Sequence, residues 1–385
     1  MYNFDSLLQR RGTNCTKWDA LGRDFGREDL MPFWVADMDF PVLPEIVQAL
    51  RRRSSEDQTF GYTFAGKDYY ESVIQWNQTR HNLHLEREDI IPIPGVVTAL
   101  AVIILSLTRE NDSVVINPPV YTPFFHVVEN MKRKLVQSPL LHRDGTYKID
   151  FEDLERTFRN GAKMYLMCSP HNPVGRVWTK EELERVALLC QQYGVILVSD
   201  EIHSDIVFSG HVHTPILNVD PQAVLVSAPS KTFNIAGLKS STIMIRDPQI
   251  RTAVKNMVDA FHLYPNLFAY EATIAAYTSG GAWLDELNNY LEANANFVVD
   301  FFRAACPEIQ AYVPESTYLM WLDLSRLGLT DRQLAEKAVQ QAGVALNQGL
   351  DYSAEYGQYM RLNIGTPRSY LEQGLKRIAE AFQLN

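Results

Sequence analysis

The feature that most constrains this chain is an alternation. Across residues 112–245, short β-branched runs alternate with amphipathic stretches, the signature of a largely parallel sheet covered by helices. The runs are 113–116, 164–168, 195–199, 223–227 and 242–245. Between the second and third, Thr179 followed by Glu181-Glu182 reads as a capped helix start, and Leu183, Val186, Ala187 and Cys190 share one helical face. That segment is expected to be a crossover helix.

After Gly280-Gly281 the pattern changes, with a long helical period over 283–305 and no strand until 318–322. Weaker strand candidates at 344–346 and 360–362 follow, and 370–382 closes the chain as a helix. The expected division is a large domain over 46–282 and a small one over 283–385, with 1–45 draped across the junction and joining the small domain. With 385 residues, 46% of them hydrophobic, the chain can bury a core of that size. A net charge of −10 argues against a nucleic-acid surface and against an anionic membrane. Four cysteines, Cys15, Cys168, Cys190 and Cys306, form no C-x-x-C pair and are read as reduced. The apolar run 98–107 is about half the roughly 20 residues a membrane helix needs, so it reads as a buried helix. No basic-then-apolar leader is visible, so the expected compartment is the cytoplasm.

In an open α/β sheet, ligands bind beyond the carboxyl ends of the strands. The residues there are unusually polar. The first run leads into Asn117-Pro118-Pro119-Val120-Tyr121, and the second into Ser169-Pro170-His171-Asn172-Pro173-Val174-Gly175. The third leads into Asp200-Glu201-Ile202-His203-Ser204-Asp205, and the fourth into Pro229-Ser230-Lys231-Thr232-Phe233-Asn234. An arbitrary lysine is ordinarily solvated, a lone Asn-Pro is ordinarily a turn, and a lone aspartate is as readily a helix cap. Together they suit one chemistry. A desolvated Lys231 amine can attack an aldehyde, Asp200 can keep a pyridine nitrogen protonated, Asn172 can donate to a phenolate oxygen, and Tyr121 can stack on a planar ring. Pro94-Gly95-Val96-Val97 opens the apolar helix, whose first amides suit an anion, and Ser230 and Lys239 offer a hydroxyl and a counter-charge. His211 and His213 lie only two apart with no clustered third ligand, so they read as a solvated loop and not as a metal site.

The ordered set Asn172-Pro173-x-Gly175, Asp200-Glu201, Ser230 to Asn234 and Gly237-Leu238-Lys239 resembles the fold type I pyridoxal-phosphate enzymes of the class I/II aminotransferase superfamily. The spacing is 28 positions from Asn172 to Asp200 and 31 from Asp200 to Lys231. Trp34-Val35-Ala36-Asp37-Met38-Asp39-Phe40, Gly61-Tyr62-Thr63, Pro94 to Val97, Asp200 to Asp205 and Met360-Arg361-Leu362-Asn363 look like its MalY/PatB branch, the carbon–sulfur β-lyases.

The resemblance implies an α/β transferase fold, a large domain with a mostly parallel sheet between helices plus a smaller α+β domain. It implies pyridoxal 5'-phosphate held covalently by Lys231. Asp200 would face the ring nitrogen, Asn172 the ring oxygen, and Tyr121 the ring face, with His203 where many members have tyrosine. Gly95, Val96 and Val97 with Ser230 and Lys239 would cradle the phosphate. Lys239 stands where aspartate aminotransferases have arginine, and Ala228 replaces a phosphate-binding serine, so the grip is either looser or drawn from other donors. Arg361 would clamp the substrate carboxylate, beside Ala36 and Tyr121. Tyr62 would reach the phosphate of a neighbouring subunit, which implies a homodimer. The implied reaction is β-elimination from L-cystathionine and related cysteine S-conjugates, giving a thiol, pyruvate and ammonia. The alternatives are amino transfer to a 2-oxo acid and a regulator that lost catalysis. Regulators of this superfamily carry an added DNA-binding domain, for which this acidic chain has no room.

Overall fold

The computed structural model describes residues 2–55, 57–143 and 145–383. Its centre is a seven-stranded sheet. In chain order the strands are β1 (Ile90–Ile93), β2 (Ser113–Ile116), β3 (Lys134–Gln137), β4 (Ala162–Cys168), β5 (Ile196–Asp200), β6 (Val224–Ser227) and β7 (Ser241–Ile245). The spatial order is β1-β7-β6-β5-β4-β2-β3. Strands β2 to β6 run parallel, and β7 is antiparallel to both β6 and β1. β-branched and apolar residues fill both faces of the central strands because helices cover both. One layer is built on α3 (Val96–Leu107), which follows α1 (Pro44–Arg53) and α2 (Lys67–His81) and whose buried Ala99, Leu100, Ile103 and Ile104 pack with Val114, Val198 and Val226. The other includes the crossover helix α4 (Lys180–Tyr193), where Leu183, Val186 and Cys190 pack with Tyr165 and Leu197.

Strands β1 and β3 were not expected from the sequence. β3 is an edge strand whose flanking Lys134 and Gln137 are exposed, so it lacks an apolar signal. β1 includes Pro92 and runs straight into Pro94-Gly95, which reads as a turn.

Beyond α5 (Leu267–Ser279), the 25-residue α6 (Gly281–Ala305) leads to a four-stranded antiparallel sheet of β8 (Gln310–Ala311), β9 (Leu319–Asp323), β10 (Asn347–Gln348) and β11 (Tyr359–Asn363). The terminal helix α7 (Arg368–Phe382) packs beneath it. The 344–346 candidate does not join this sheet. Val344–Ala345 pairs in parallel with Met31–Pro32, tying the N-terminal segment to the C-terminal third of the chain.

That segment is also tied by charge. Lys17 and Asp39 are both fully buried and bonded at 2.7 Å, and Asp39 also accepts from Trp18 Nε1 at 2.9 Å and Arg10 Nη1 at 2.8 Å. Desolvation opposes ionisation of Asp39, but Lys17, Trp18 and Arg10 outweigh it and hold the carboxyl below its ordinary range. Removing one partner of such a buried pair costs about 3–5 kcal/mol.

Candidate active site

Strand β2 has its parallel neighbours β3 and β4 on opposite sides, and the chain goes to one and then the other. The carboxyl ends at that switch open a crevice. Register aligns Cys168 with Asp200 and Asp200 with Val226, so the loops after β4, β5 and β6 start side by side. A cavity of about 190 Å³ lies there, lined by Ala36, Gly95, Val96, Val97, Tyr121, Cys168, Asn172, Asp200, His203, Ser230, Lys231 and Lys239.

The electrostatics are set by burial. Asp200 is 2% exposed, and its carboxylate accepts one N–H, from Ile202 at 3.1 Å. Burial pushes its pKa up to about 7, with Glu201 adding to the rise and the Ile202 N–H and Lys231 opposing it. Burial also drives the Lys231 amine down to about 8, helped by the positive charge of Arg361 and opposed by Asp37 and Asp200. His203 falls to about 3 for the same reasons, burial first and then Lys231 and Arg361, so its ring is neutral. Burial and the nearby Asp200 raise the Tyr121 phenol, which stays protonated.

Lys231 Nζ donates to Ala36 O at 2.7 Å, and Tyr318 OH donates to the same oxygen at 2.9 Å. Arg361 is 4% exposed and paired in register with Trp321 and Asn347. Its Nη2 donates to Trp34 O at 2.8 Å and Asn347 Oδ1 at 2.7 Å, its Nη1 donates to Asn172 Oδ1 at 3.2 Å, and its plane lies 5.3 Å from the Tyr352 ring. Because Asn172 Oδ1 faces the guanidinium, its NH₂ is the end left to donate elsewhere.

These residues fit a planar, anionic, pyridine-like group. His203 Nδ1 and Arg361 Nε are buried without partners, and such donors and acceptors are rarely left unmet. Asp200 is a buried carboxylate suited to a cationic N–H. Gly95 adopts φ +125°, and a side chain there would project into open space, so the backbone can approach a ligand closely. The Gly95 N–H is already bonded to Ile93 O at 3.0 Å and Ser241 Oγ at 2.9 Å. The donors open to an anion therefore begin at Val96 and Val97, in the first turn of α3. Lys239, in a left-handed conformation, is the nearby exposed cation.

One expectation, for Tyr62, concerns a neighbouring subunit, and one, for His213, is corrected. Tyr62 is fully exposed and does not line the cavity of its own chain. His213 is not a solvated loop residue. It is 7% exposed and bonded to Glu201 Oε2 at 2.8 Å, because the loop folds back onto the carboxyl end of β5. Among the described residues no cluster of three or more metal-ligating side chains occurs. Sequence reasoning singled out neither Asn347 nor Tyr318, and it gave no role to Asn234 or Asn363. Asn347 comes from the small sheet and Tyr318 from the position before β9, both far away in the chain, while Asn234 and Asn363 sit inside segments already marked by the flanking lysine and arginine.

The family described as aminotransferase class I and II matches residues 28–378. Cystathionine beta-lyase PatB of Bacillus subtilis is 42% identical, covering 98% of this chain and 99% of that protein. Protein MalY of Escherichia coli is 34% identical, covering 100% and 99%. Among solved structures, cystalysin from Treponema denticola, which contains a pyridoxal 5'-phosphate cofactor, superposes with a TM-score of 0.95 at 34% identity over 99% of this chain and 98% of that one. A match over most of the chain makes this protein a member of the class I and II aminotransferase family, in its MalY/PatB branch.

Proposed function

We propose that this chain is a pyridoxal 5'-phosphate-dependent carbon–sulfur β-lyase, cleaving L-cystathionine and related cysteine S-conjugates to a thiol, pyruvate and ammonia. The observation that carries it is the meeting of Lys231 and Asp200 in one cavity, with Arg361 bonded to Asn172 of its lining, in a chain 42% identical to a cystathionine β-lyase. Lys231 would hold the cofactor aldehyde, Asp200 its ring nitrogen, Asn172 and His203 its ring oxygen, and Tyr121 its face. Val96, Val97, Ser230 and Lys239 would hold its phosphate, with Gly95 leaving room. When bound, the cofactor supplies a protonated ring that draws electrons from the substrate α-carbon.

The chain's own residues do the rest. Arg361 would donate to the substrate carboxylate from its buried Nε–H, which has no partner in the protein, and from the Nη1 hydrogen not used by Asn172. Ala36 and Tyr121 border the same space. Lys231 Nζ, with a pKa near 8, is neutral often enough to take the α-proton. Asp200, 2% exposed, would face the ring nitrogen and favour its protonated form. Loss of the β-thiolate then leaves a three-carbon remainder that water converts to pyruvate and ammonia.

The reading includes a cytoplasmic homodimer, with Tyr62 completing the neighbour's phosphate site, and a division of the chain near 45 and 282. No helix among the described residues is long and apolar enough to cross a membrane. The test is to incubate the cofactor-loaded protein with L-cystathionine and no keto acid. Stoichiometric thiol and pyruvate are expected. Amino transfer to an added keto acid without thiol release would replace the lyase with an aminotransferase.

A further inference from the structure

We propose that Asp39 is a positioning residue: it fixes the strap 34–39, whose backbone carbonyls hold both Lys231 and Arg361. The inference rests on the roles given to those two residues above.

Every carbonyl from 34 to 38 is taken by a side chain. Trp34 O accepts from Arg361, and Val35 O accepts from Asn363 Nδ2 at 2.6 Å. Ala36 O accepts from Lys231 and Tyr318. Asp37 O accepts from Asn363 Nδ2 at 2.7 Å and Lys17 Nζ at 3.1 Å. Met38 O accepts from Arg10 Nη1 at 3.0 Å and Asn234 Nδ2 at 2.8 Å. A strap so held lacks the freedom of an ordinary loop, and a carbonyl so placed gives the amine a fixed resting position.

One end of the strap is clamped by charge. Asp39 is buried among Lys17, Trp18 and Arg10, and its N–H donates to Gly365 O at 2.8 Å. Arg10 also forks onto both oxygens of Asp37, at 3.0 and 2.8 Å. None of Arg10, Lys17, Trp18 and Asp39 lines the cavity, so their effect on chemistry passes through Ala36 and Trp34. A purely structural role would lower stability and leave the split between kcat and KM unchanged.

The experiment compares Asp39→Asn, Trp18→Phe, Arg10→Met and Arg10→Lys, each loaded with cofactor. Trp18→Phe and Arg10→Met keep the Lys17–Asp39 pair, so they carry the test if Asp39→Asn does not fold. Measured on each are the melting temperature, borohydride fixation of the cofactor to Lys231, kcat and KM with L-cystathionine, and the affinity for glycine read from the cofactor absorbance. Expected are intact fixation, a KM and a glycine dissociation constant raised about tenfold, and a lowered kcat, with Arg10→Lys closer to the parent than Arg10→Met. Folded variants whose kcat, KM and glycine affinity all stay within about twofold of the parent would overturn the proposal. Glycine carries no leaving group, so its titration reads the strap even if no variant, nor the parent, releases a thiol.

Discussion

A lysine amine walled in beside an arginine loses its proton more readily than one in water, since both the desolvation and the like charge disfavour the ammonium. Lys231 drops from the ordinary 10.5 to about 8. The sign decides what is seen. Its neutral, aldehyde-reactive form dominates above about 8, and below that value the neutral fraction falls about tenfold per pH unit. The rate of cofactor uptake by the cofactor-free protein, followed by absorbance, is therefore expected to climb from pH 6 to about 8 and then level off. A rate still climbing towards pH 10 would mean that the amine is not desolvated. The amine's role was legible because Lys231 follows an apolar strand and precedes Asn234 in a polar strand-end segment. Its partner, the Ala36 carbonyl, was not legible, since a backbone oxygen 195 positions away carries no sequence signal.

At the scale of elements, the loop that carries Asn172 is held by the helix that follows it. Thr179 accepts from Glu182 N at 3.2 Å, while Glu182 Oε2 accepts from Thr179 N at 2.8 Å, a reciprocal cap at the start of α4. Glu182 also binds Arg176, which reaches Glu315 at 2.7 Å beside the small sheet. Thr179→Ala is expected to lower stability by about 1 kcal/mol in urea unfolding of the loaded protein. Because Glu182 keeps its hold on Arg176, kcat should stay at the parental level, and a large fall in kcat would mean that the cap itself positions Asn172. This cap was legible because Thr-x-x-Glu before an apolar period is a local pattern. The Lys17–Asp39 clamp was not legible in the same way. Its members lie 22 positions apart with no regular element spanning them, and burial turns two ordinary surface residue types into a core ion pair. Edge strand β3 escaped for the opposite reason, since partial exposure removed the alternation that marks a strand.

At the scale of the molecule, the segment around Tyr62 touches its own chain through Phe60, whose ring centroid lies 5.7 Å from that of Phe268, yet it stays open to solvent. Phe60, Tyr62 and Phe64 are 62%, 112% and 82% exposed, and aromatic side chains clustered this openly mark a contact surface. In a two-fold dimer each segment would cover the other chain, so each cofactor site would draw on both subunits. Complementation separates this arrangement from two self-sufficient sites. A Lys231→Ala chain lacks the amine and a Tyr62→Ala chain lacks the phenol, so each homodimer is defective at both of its sites. In a purified heterodimer of the two, one site pairs the intact amine of one chain with the intact phenol of the other, and the second site lacks both. Assayed at limiting cofactor, the heterodimer should recover about half of the parental activity per dimer, while a mixture of the two homodimers that cannot exchange stays at their own low levels. If Tyr62 served its own chain, or none, the heterodimer would do no better than the average of its parents, since no site in it would gain a group that its own Lys231-bearing chain lacks.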